Sequence, residues 1–370
     1  MYGQQRCAWR ASEATKPTQT NETFDYRNGV FTIPVVVHVV AQNAQEDLSD
    51  AQISSQIEVL NRDFRRNNIE IPDIHPLFNG QAADVELEFC LVATTRTTTS
   101  VAGIYNQFSN GKRRVCHTSE GGHDAVAPNQ YLNIWISGRS DNALGSATAP
   151  GEASAGEDGV FIAPAYFGTL GTAQPPYNLG RTTTHEIGHY LGLKHLWGPG
   201  LENDNSCSGD DDIADTPRQF SSYQHTCPSI PLNTCGSPDM FMNFMNYTDD
   251  ACMALFTAGQ KEKMRNCLTQ QRAGLLNSSC LPLSDGGLAI PQASLSLFPV
   301  PASERVKIEG PVKDVFEFAI FDLHGRFIRN GQIEKASGSE LDVSSLPNGL
   351  YIINIRDEHR LYIKKLIIAR

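Results

Sequence analysis

The chain has 370 residues, 40% hydrophobic and 19% charged, with a formal net charge of -11. This composition excludes a mainly disordered chain, and the length suits two domains with a sizeable core. The negative balance repels a phosphate backbone, which excludes nucleic acid as a partner, and no apolar run reaches the roughly 18 to 20 residues that a membrane span needs.

The acidity is unevenly placed: from Pro291 onward there are 11 basic and 10 acidic residues, against 19 and 31 before it. Nine cysteines, five of them between Cys207 and Cys267, point to an oxidising destination, and the odd number leaves at least one unpaired. The first residues carry no apolar signal core, so the secretory peptide expected of such a chain is already removed or lies upstream.

Taken in order, Met1 to about Asn28 is polar and aperiodic, an N-terminal extension in character. Phe31 to Val40 is a β-branched run with the pattern of a strand buried on both faces. Ser49 caps a helix whose Ile53, Ile57, Leu60 and Phe64 share one face and which ends near Arg65. Val85, Leu87, Phe89 and Leu91 alternate as a strand, and Leu132 to Ile136 reads as another, an α/β or α+β opening. Gly145 to Gly159 is rich in glycine and serine and predicts a loop, with a short strand over Asp158 to Ala163. A helix follows from about Thr182. From His195 to Asp239 the sequence is irregular and too long for an ordinary loop unless disulfides or metal hold it. A further helix spans Thr257 to Leu276, and Ser279 to Ser296 is a linker. The remainder predicts a small all-β unit with strands at Val306 to Ile308, Phe316 to Phe321, Tyr351 to Ile355 and Tyr362 to Ile368. Its turns fall at His324-Gly325, Asn330-Gly331 and Pro347 to Gly349.

The chemistry concentrates between Thr184 and His195. His185 and His189 are four residues apart, one turn of a helix, so both imidazoles can reach one zinc ion at about 2 Å. Glu186 is rotated beside the metal, placed to take the proton of a zinc-bound water. Gly192 lets the chain turn sharply so that His195 supplies a third imidazole, leaving one position open as catalytic sites require.

This motif, His-Glu-x-x-His-x-x-Gly-x-x-His, resembles that of the metzincin metallopeptidases. Asn243 to Tyr247 resembles their methionine-bearing turn, with Met245 as the floor beneath the imidazoles and Tyr247 as an oxyanion donor. A closer resemblance is to the pappalysin family, in particular its ulilysin-like and mirolysin-like members. It is carried by Thr32 to Val40, Leu60 to Phe64, Leu132 to Trp135, Gly180 to Glu186, Asp211 to Pro217 and Asn243 to Cys252, and spans roughly residues 30 to 275. It implies an upper subdomain with a twisted, mostly parallel sheet and the zinc helix, and an irregular lower subdomain after His195. It further implies calcium at Asp211 and the Thr216 carbonyl, and bridges Cys207 to Cys235 and Cys227 to Cys252. Spacing leaves Cys90, Cys116, Cys267 and Cys280 undecided, with Cys90 to Cys116 and Cys267 to Cys280 as conceivable pairs.

If those eight cysteines pair, Cys7 is the odd one, and the segment around it resembles the cysteine switch of the family, a thiolate that occupies the open zinc position until the extension is cleaved. Family members that cut before basic residues carry Asp immediately ahead of the second bridge cysteine; here that residue is Ala251, so Arg/Lys specificity is not expected. Leu297 to Ala302, Phe321 to Arg326, Leu346 to Tyr351 and Lys364 to Arg370 resemble the C-terminal sorting domain of the type IX secretion system, a β-sandwich on a linker. The expectation is thus a pro-segment at 1–28, a zinc peptidase domain at 29–280, a linker at 281–296 and a sorting domain at 297–370. The chain reads as an endopeptidase secreted or held at the cell surface, acting on protein or peptide substrates and using the type IX secretion machinery. The alternative is a secreted adhesin on a catalytically silent scaffold; Glu186 speaks against it, because loss of that base is the simplest way to silence the site.

Overall fold

The computed structural model describes residues 29–141, 143–198, 207–220, 222–224, 226–277, 280, 295–309, 315–322, 327–334, 339–356 and 361–370. The extension 1–28 with Cys7, linker residues 281–294 and the turn expected at His324-Gly325 lie outside these. The chain divides into two compact units, 1–283 and 284–370. No helix among the described residues is long and apolar enough to cross a membrane.

The first unit is mixed α/β. Its strands are β1 (Phe31–Ala41), β2 (Leu87–Thr98), a small hairpin of β3 (Phe108–Ser109) and β4 (Lys112–Arg113), then β5 (Leu132–Ser137), β6 (Gly145–Ala147) and β7 (Val160–Ile162). Helices are α1 (Asp50–Asp63), the single turn α2 (Pro76–Asn79), α3 (Arg181–Tyr190) and α4 (Ala258–Gln271). The main sheet runs β2-β1-β5-β7-β6, with parallel pairing throughout except for β6, which lies antiparallel at the edge. β1 sits between two strands and buries both faces, as its unbroken run of β-branched residues requires. Its His38 is fully buried, with ring nitrogens 2.8 Å from Thr95 Oγ1 and 2.8 Å from Asn133 Oδ1; burial pushes its pKa down to about 3.

Ser49 caps α1 through its hydroxyl, and Ile53, Leu60 and Phe64 are buried beneath the sheet's helical cover. α4 begins at a capping box formed by Thr257 and Gln260, and a 3-10 turn over Ala273–Asn277 completes the stretch read as one helix. Two expectations for this unit are corrected. The glycine-rich loop from Gly145 contains β6, because Gly145 lets the edge strand approach where a Cβ would lie 2.8 Å from Ile162 and 2.9 Å from Glu186. The conceivable pairs Cys90 to Cys116 and Cys267 to Cys280 do not form: Cys90 joins Cys280, and Cys116 and Cys267 are buried thiols. The other bridges are Cys207–Cys235 and Cys227–Cys252.

The second unit has its own core, with Val306, Ile308, Phe316, Ile320, Ile353, Ile355 and Leu366 all buried. One sheet runs β11-β10-β13-β14 (Phe327–Glu334, Val315–Asp322, Gly349–Arg356, Leu361–Ile368), and the other β12-β9-β8 (Glu340–Asp342, Arg305–Glu309, Ser296–Phe298). Asn330-Gly331 is not a turn but lies inside β11, paired with Ala319 and Phe318. A Cβ at Gly331 would stand 2.8 Å from the Phe318 ring, so the glycine serves ring packing rather than chain reversal. The Arg370 guanidinium donates to the carbonyls of Ser303, Val343, Ser344 and Leu346 at 2.7 to 2.9 Å, fastening the last residue to the unit.

α3 is held against α1 by buried charge: Arg181 donates to Asp63 and to Glu70, each at 2.6 Å, and Thr184 Oγ1 donates to Asp63 at 2.6 Å. Removing the cation leaves two buried carboxylates without their counter-charge, held only by neutral donors, Thr184 on Asp63 and Asn68 on Glu70. Arg181→Ala is expected to lower stability by roughly 3 to 5 kcal/mol, whereas Arg62→Ala, which breaks an exposed pair with Glu58, costs below about 1 kcal/mol. Urea unfolding of the two variants side by side checks the contrast; equal losses would contradict it.

Candidate metal centre

Every residue of α3 from Arg181 to Gly188 is buried. His185 and His189 stand one turn apart on it, and the chain leaves the helix through Gly192, whose φ of +88° is left-handed, before reaching His195. The three Nε2 atoms converge at separations of 3.1, 3.2 and 2.9 Å. His185 Nδ1 donates to Phe244 O at 2.7 Å and His189 Nδ1 to Leu193 O at 2.9 Å. These bonds place the proton on Nδ1 of His185 and His189, so their Nε2 atoms present lone pairs and cannot bond to one another, and His195 Nε2 can accept from Tyr247 Oη at 2.9 Å. Burial pushes His185 down to about 3, His189 to about 4 and His195 well below its usual range. Neutral imidazoles aimed at one point fit a cation bound about 2 Å from each nitrogen, the geometry of zinc.

Glu186 is 4% exposed, and its Oε2 has no hydrogen-bond partner. Burial pushes its carboxyl up to about 8, opposed by the charge of Arg139. Glu186, His189 and His195 line one cavity of about 440 Å³. A buried carboxyl oxygen without a protein partner beside three converging imidazole nitrogens is a donor set suited to a cation and a water beside it.

The floor comes from Asn243 to Tyr247. Met245 is fully buried, and a Cβ at Gly188 would meet its Sδ at 2.4 Å, so the thioether lies directly against the helix between the two histidines. Asn243 fixes the turn, accepting from Met245 N at 2.9 Å and exchanging side-chain bonds of 2.8 and 3.0 Å with Gln260 of the α4 capping box. Phe244 in the same turn supplies the carbonyl that orients His185. Tyr247 Oη lies 2.9 Å from His195 Nε2, at the point where the imidazoles converge.

In the loop after His195, Asp211 accepts from Thr216 Oγ1 at 2.8 Å on both carboxylate oxygens, and burial pushes it up to about 6. Lys263 Nζ donates to the Asp211 carbonyl at 3.1 Å. Asp210 pairs with Arg218, Asp212 with Lys194, and Asp215 accepts from Thr257 and Gly259 at the start of α4. Cys207 and Cys235 bridge this loop, and Cys227–Cys252 ties it to the residues that follow Tyr247. Ala251 is exposed, while Asp249 and Asp250 each keep one buried oxygen without a partner.

Sequence reasoning missed Trp197, whose ring stacks on His195 at 4.5 Å and meets Tyr247 at 5.0 Å. It also missed the far wall of the cavity, formed by Tyr105, Phe108, Arg113 and Arg139. Trp197 lies two residues past the motif and was open to notice; the wall comes from irregular sequence with no motif.

Residues 119–269 match the profile of the Peptidase M43 family, described as pregnancy-associated plasma protein-A, and residues 296–369 match the secretion system C-terminal sorting domain. Extracellular metalloprotease 1 of Coccidioides posadasii is 31% identical over 278 residues, 72% of this chain and 87% of that protein. An extracellular metalloprotease of Verticillium alfalfae is 33% identical over 255 residues, 65% and 77% of the two chains. Mature mirolysin of Tannerella forsythia, solved in complex with a cleaved peptide, shares 43% identity at a TM-score of 0.62, over 68% of this chain and 97% of that one. Fold, converging histidines and these likenesses agree, and the chain belongs to the pappalysin (Peptidase M43) family as a zinc metalloendopeptidase with a C-terminal type IX sorting domain.

Proposed function

We propose that the chain is secreted or displayed at the cell surface and cuts protein or peptide substrates with His185, His189 and His195 as zinc ligands, Glu186 as general base and Tyr247 as oxyanion donor. The observation that carries this reading is the meeting of three Nε2 lone pairs with the unpartnered Glu186 Oε2 in one cavity. When bound, zinc supplies Lewis acidity that polarises the scissile carbonyl and the attacking water.

Glu186 takes the proton of the attacking water and hands it to the leaving amine, its oxygen free of other bonds for both transfers. Tyr247 donates a hydrogen bond from its hydroxyl to the developing oxyanion, and an edge-to-face contact with Trp197 holds its ring. Gly145–Ala147 forms the edge of the sheet in the same cavity, so a peptide adds there as a further strand and its main chain is aligned by ladder hydrogen bonds.

In this reading residues 1–28 are the pro-segment and Cys7 occupies the open zinc position until the segment is cut. Residues 29–280 are the peptidase domain, and residues 297–370 are the address read by the type IX machinery. Calcium at Asp211 and the Thr216 carbonyl belongs to the same reading; the buried Asp211 carboxylate forms no salt bridge among the described residues, which leaves its charge for a cation.

Three zinc-loaded full chains, incubated with denatured proteins and analysed by mass spectrometry, test this. Cys7→Ala is expected to produce many new termini, the native chain few, and Cys7→Ala with Glu186→Ala none. Silence of a folded, zinc-loaded Cys7→Ala chain would overturn the peptidase roles, and equal cutting by the native and Cys7→Ala chains would overturn the switch. Tyr247→Phe is expected to lower kcat by roughly 100-fold while the zinc content stays at that of the parent, the signature of a donor used in the transition state. Chelation is expected to abolish cutting and added zinc to restore it.

A further inference from the structure

The cavity that begins at Glu186, His189 and His195 continues to the β3–β4 hairpin. The hairpin reverses at Asn110 and Gly111, both left-handed with φ of 51° and 77°, and sets Phe108 directly opposite Arg113. Phe108 is 59% exposed and lines the cavity. Its ring therefore stands at the mouth of the cavity, where a ligand in the cleft would cover it.

Arg113 is held in an aromatic slot, its guanidinium carbon 4.4 Å from the Phe161 ring centre, 4.7 Å from Tyr105 and 5.5 Å from Phe108. The charged groups around it are already engaged. Arg139 is matched by Asp141 through Nε and Nη2 at 2.8 and 2.9 Å, and Glu152 accepts from Ala149 N at 2.8 Å. Glu157 accepts from the Arg113 backbone N–H and lies 2.9 Å from His117 Nε2. Among the described residues the Arg113 guanidinium forms no salt bridge, so the slot presents to the cavity a positioned cation without a direct ion partner.

Strand alternation decides which part of a substrate would meet it. Gly145 faces Glu186 and Ile162, and Ala147 packs on the core that contains α3, whereas Ser146 points to the other face and bonds to Tyr105 Oη. A peptide added beside β6 continues the pleat: side chains in line with Gly145 and Ala147 face the metal, and the intervening one faces Tyr105 and Arg113. We propose that the 108–113 hairpin is a selecting flap, and that Arg113 pairs with an acidic side chain at one fixed position beside the scissile bond. This rests on the edge-strand reading of substrate binding given above.

A peptide library with all residues at each position, cut by the zinc-loaded Cys7→Ala full chain, tests it. Asp and Glu are expected to be enriched roughly three- to fivefold at one position relative to the cut, in the range of a partly exposed ion pair. The enrichment is expected to persist in Arg113→Lys, vanish in Arg113→Ala and turn to Lys and Arg in Arg113→Glu. Each preference is a ratio between cuts made by one variant, so a lower total activity leaves it readable. The same sequence preference in all four chains, or no acidic enrichment in the parent, would overturn the flap. A parent that cuts nothing would instead remove the peptidase roles on which the flap depends.

Discussion

Three imidazole lone pairs directed at one point repel one another unless a cation lies between them, and much of the first unit serves to keep them so directed. Their Nε2 atoms stand 2.9 to 3.2 Å apart because the opposite ring nitrogens of His185 and His189 are tied to carbonyls. One of those carbonyls belongs to Phe244, some sixty residues on in a different segment, so the turn that bears Met245 and Tyr247 must be in place before the first histidine is oriented. That turn in turn depends on Asn243 and the capping box of α4. The metal site therefore joins the helix, the loop after it and the last helix of the unit into one arrangement that forms or fails together.

The same constraint explains why a helix with so polar a sequence is buried. Arg181, three threonines, His185 and Glu186 leave water, a step that costs several kcal/mol per uncompensated charge. Arg181 is matched by Asp63 and Glu70, Thr184 by Asp63, and the histidines by burial in neutral form. Arg181 Nε, Thr183 Oγ1 and Glu186 Oε2 are buried without a partner on this helix, and of the three residues only Glu186 lines the cavity. A buried carboxyl in that condition beside the converging imidazoles is the observation on which its proposed role rests.

What could be read from the sequence follows from these demands. The one-turn geometry of His185, Glu186 and His189 is fixed by helical spacing, and the turn at Gly192 by its left-handed backbone, so both were legible in advance. β1 was legible because a strand buried on both faces must be apolar without alternation. β6 was not: a three-residue edge strand of Gly, Ser and Ala has no propensity signal, and its existence follows from Gly145 allowing close approach to Glu186. The pairing of Cys90 with Cys280 joins residues 190 apart and is a property of the folded chain rather than of spacing. Asn330-Gly331 misled because the same dipeptide serves a hairpin turn or makes room for a ring, and only the Phe318 across the ladder decides between them.

The two kinds of task at the cleft place different demands on the backbone. Proton transfer and metal binding need fixed distances, and the residues proposed for them stand on α3 and on a turn locked to α4. Selection among peptides needs only a surface of the right charge and shape, and the hairpin between β2 and β5 supplies one whose own fold asks for little beyond left-handed residues at its tip. The two meet at the edge strand: Gly145 lies against Glu186, the proposed base, on one face while Ser146 holds Tyr105 on the other. A change in the hairpin can therefore alter what is cut without moving the atoms that do the cutting, whereas a side chain at Gly145 would disturb both at once.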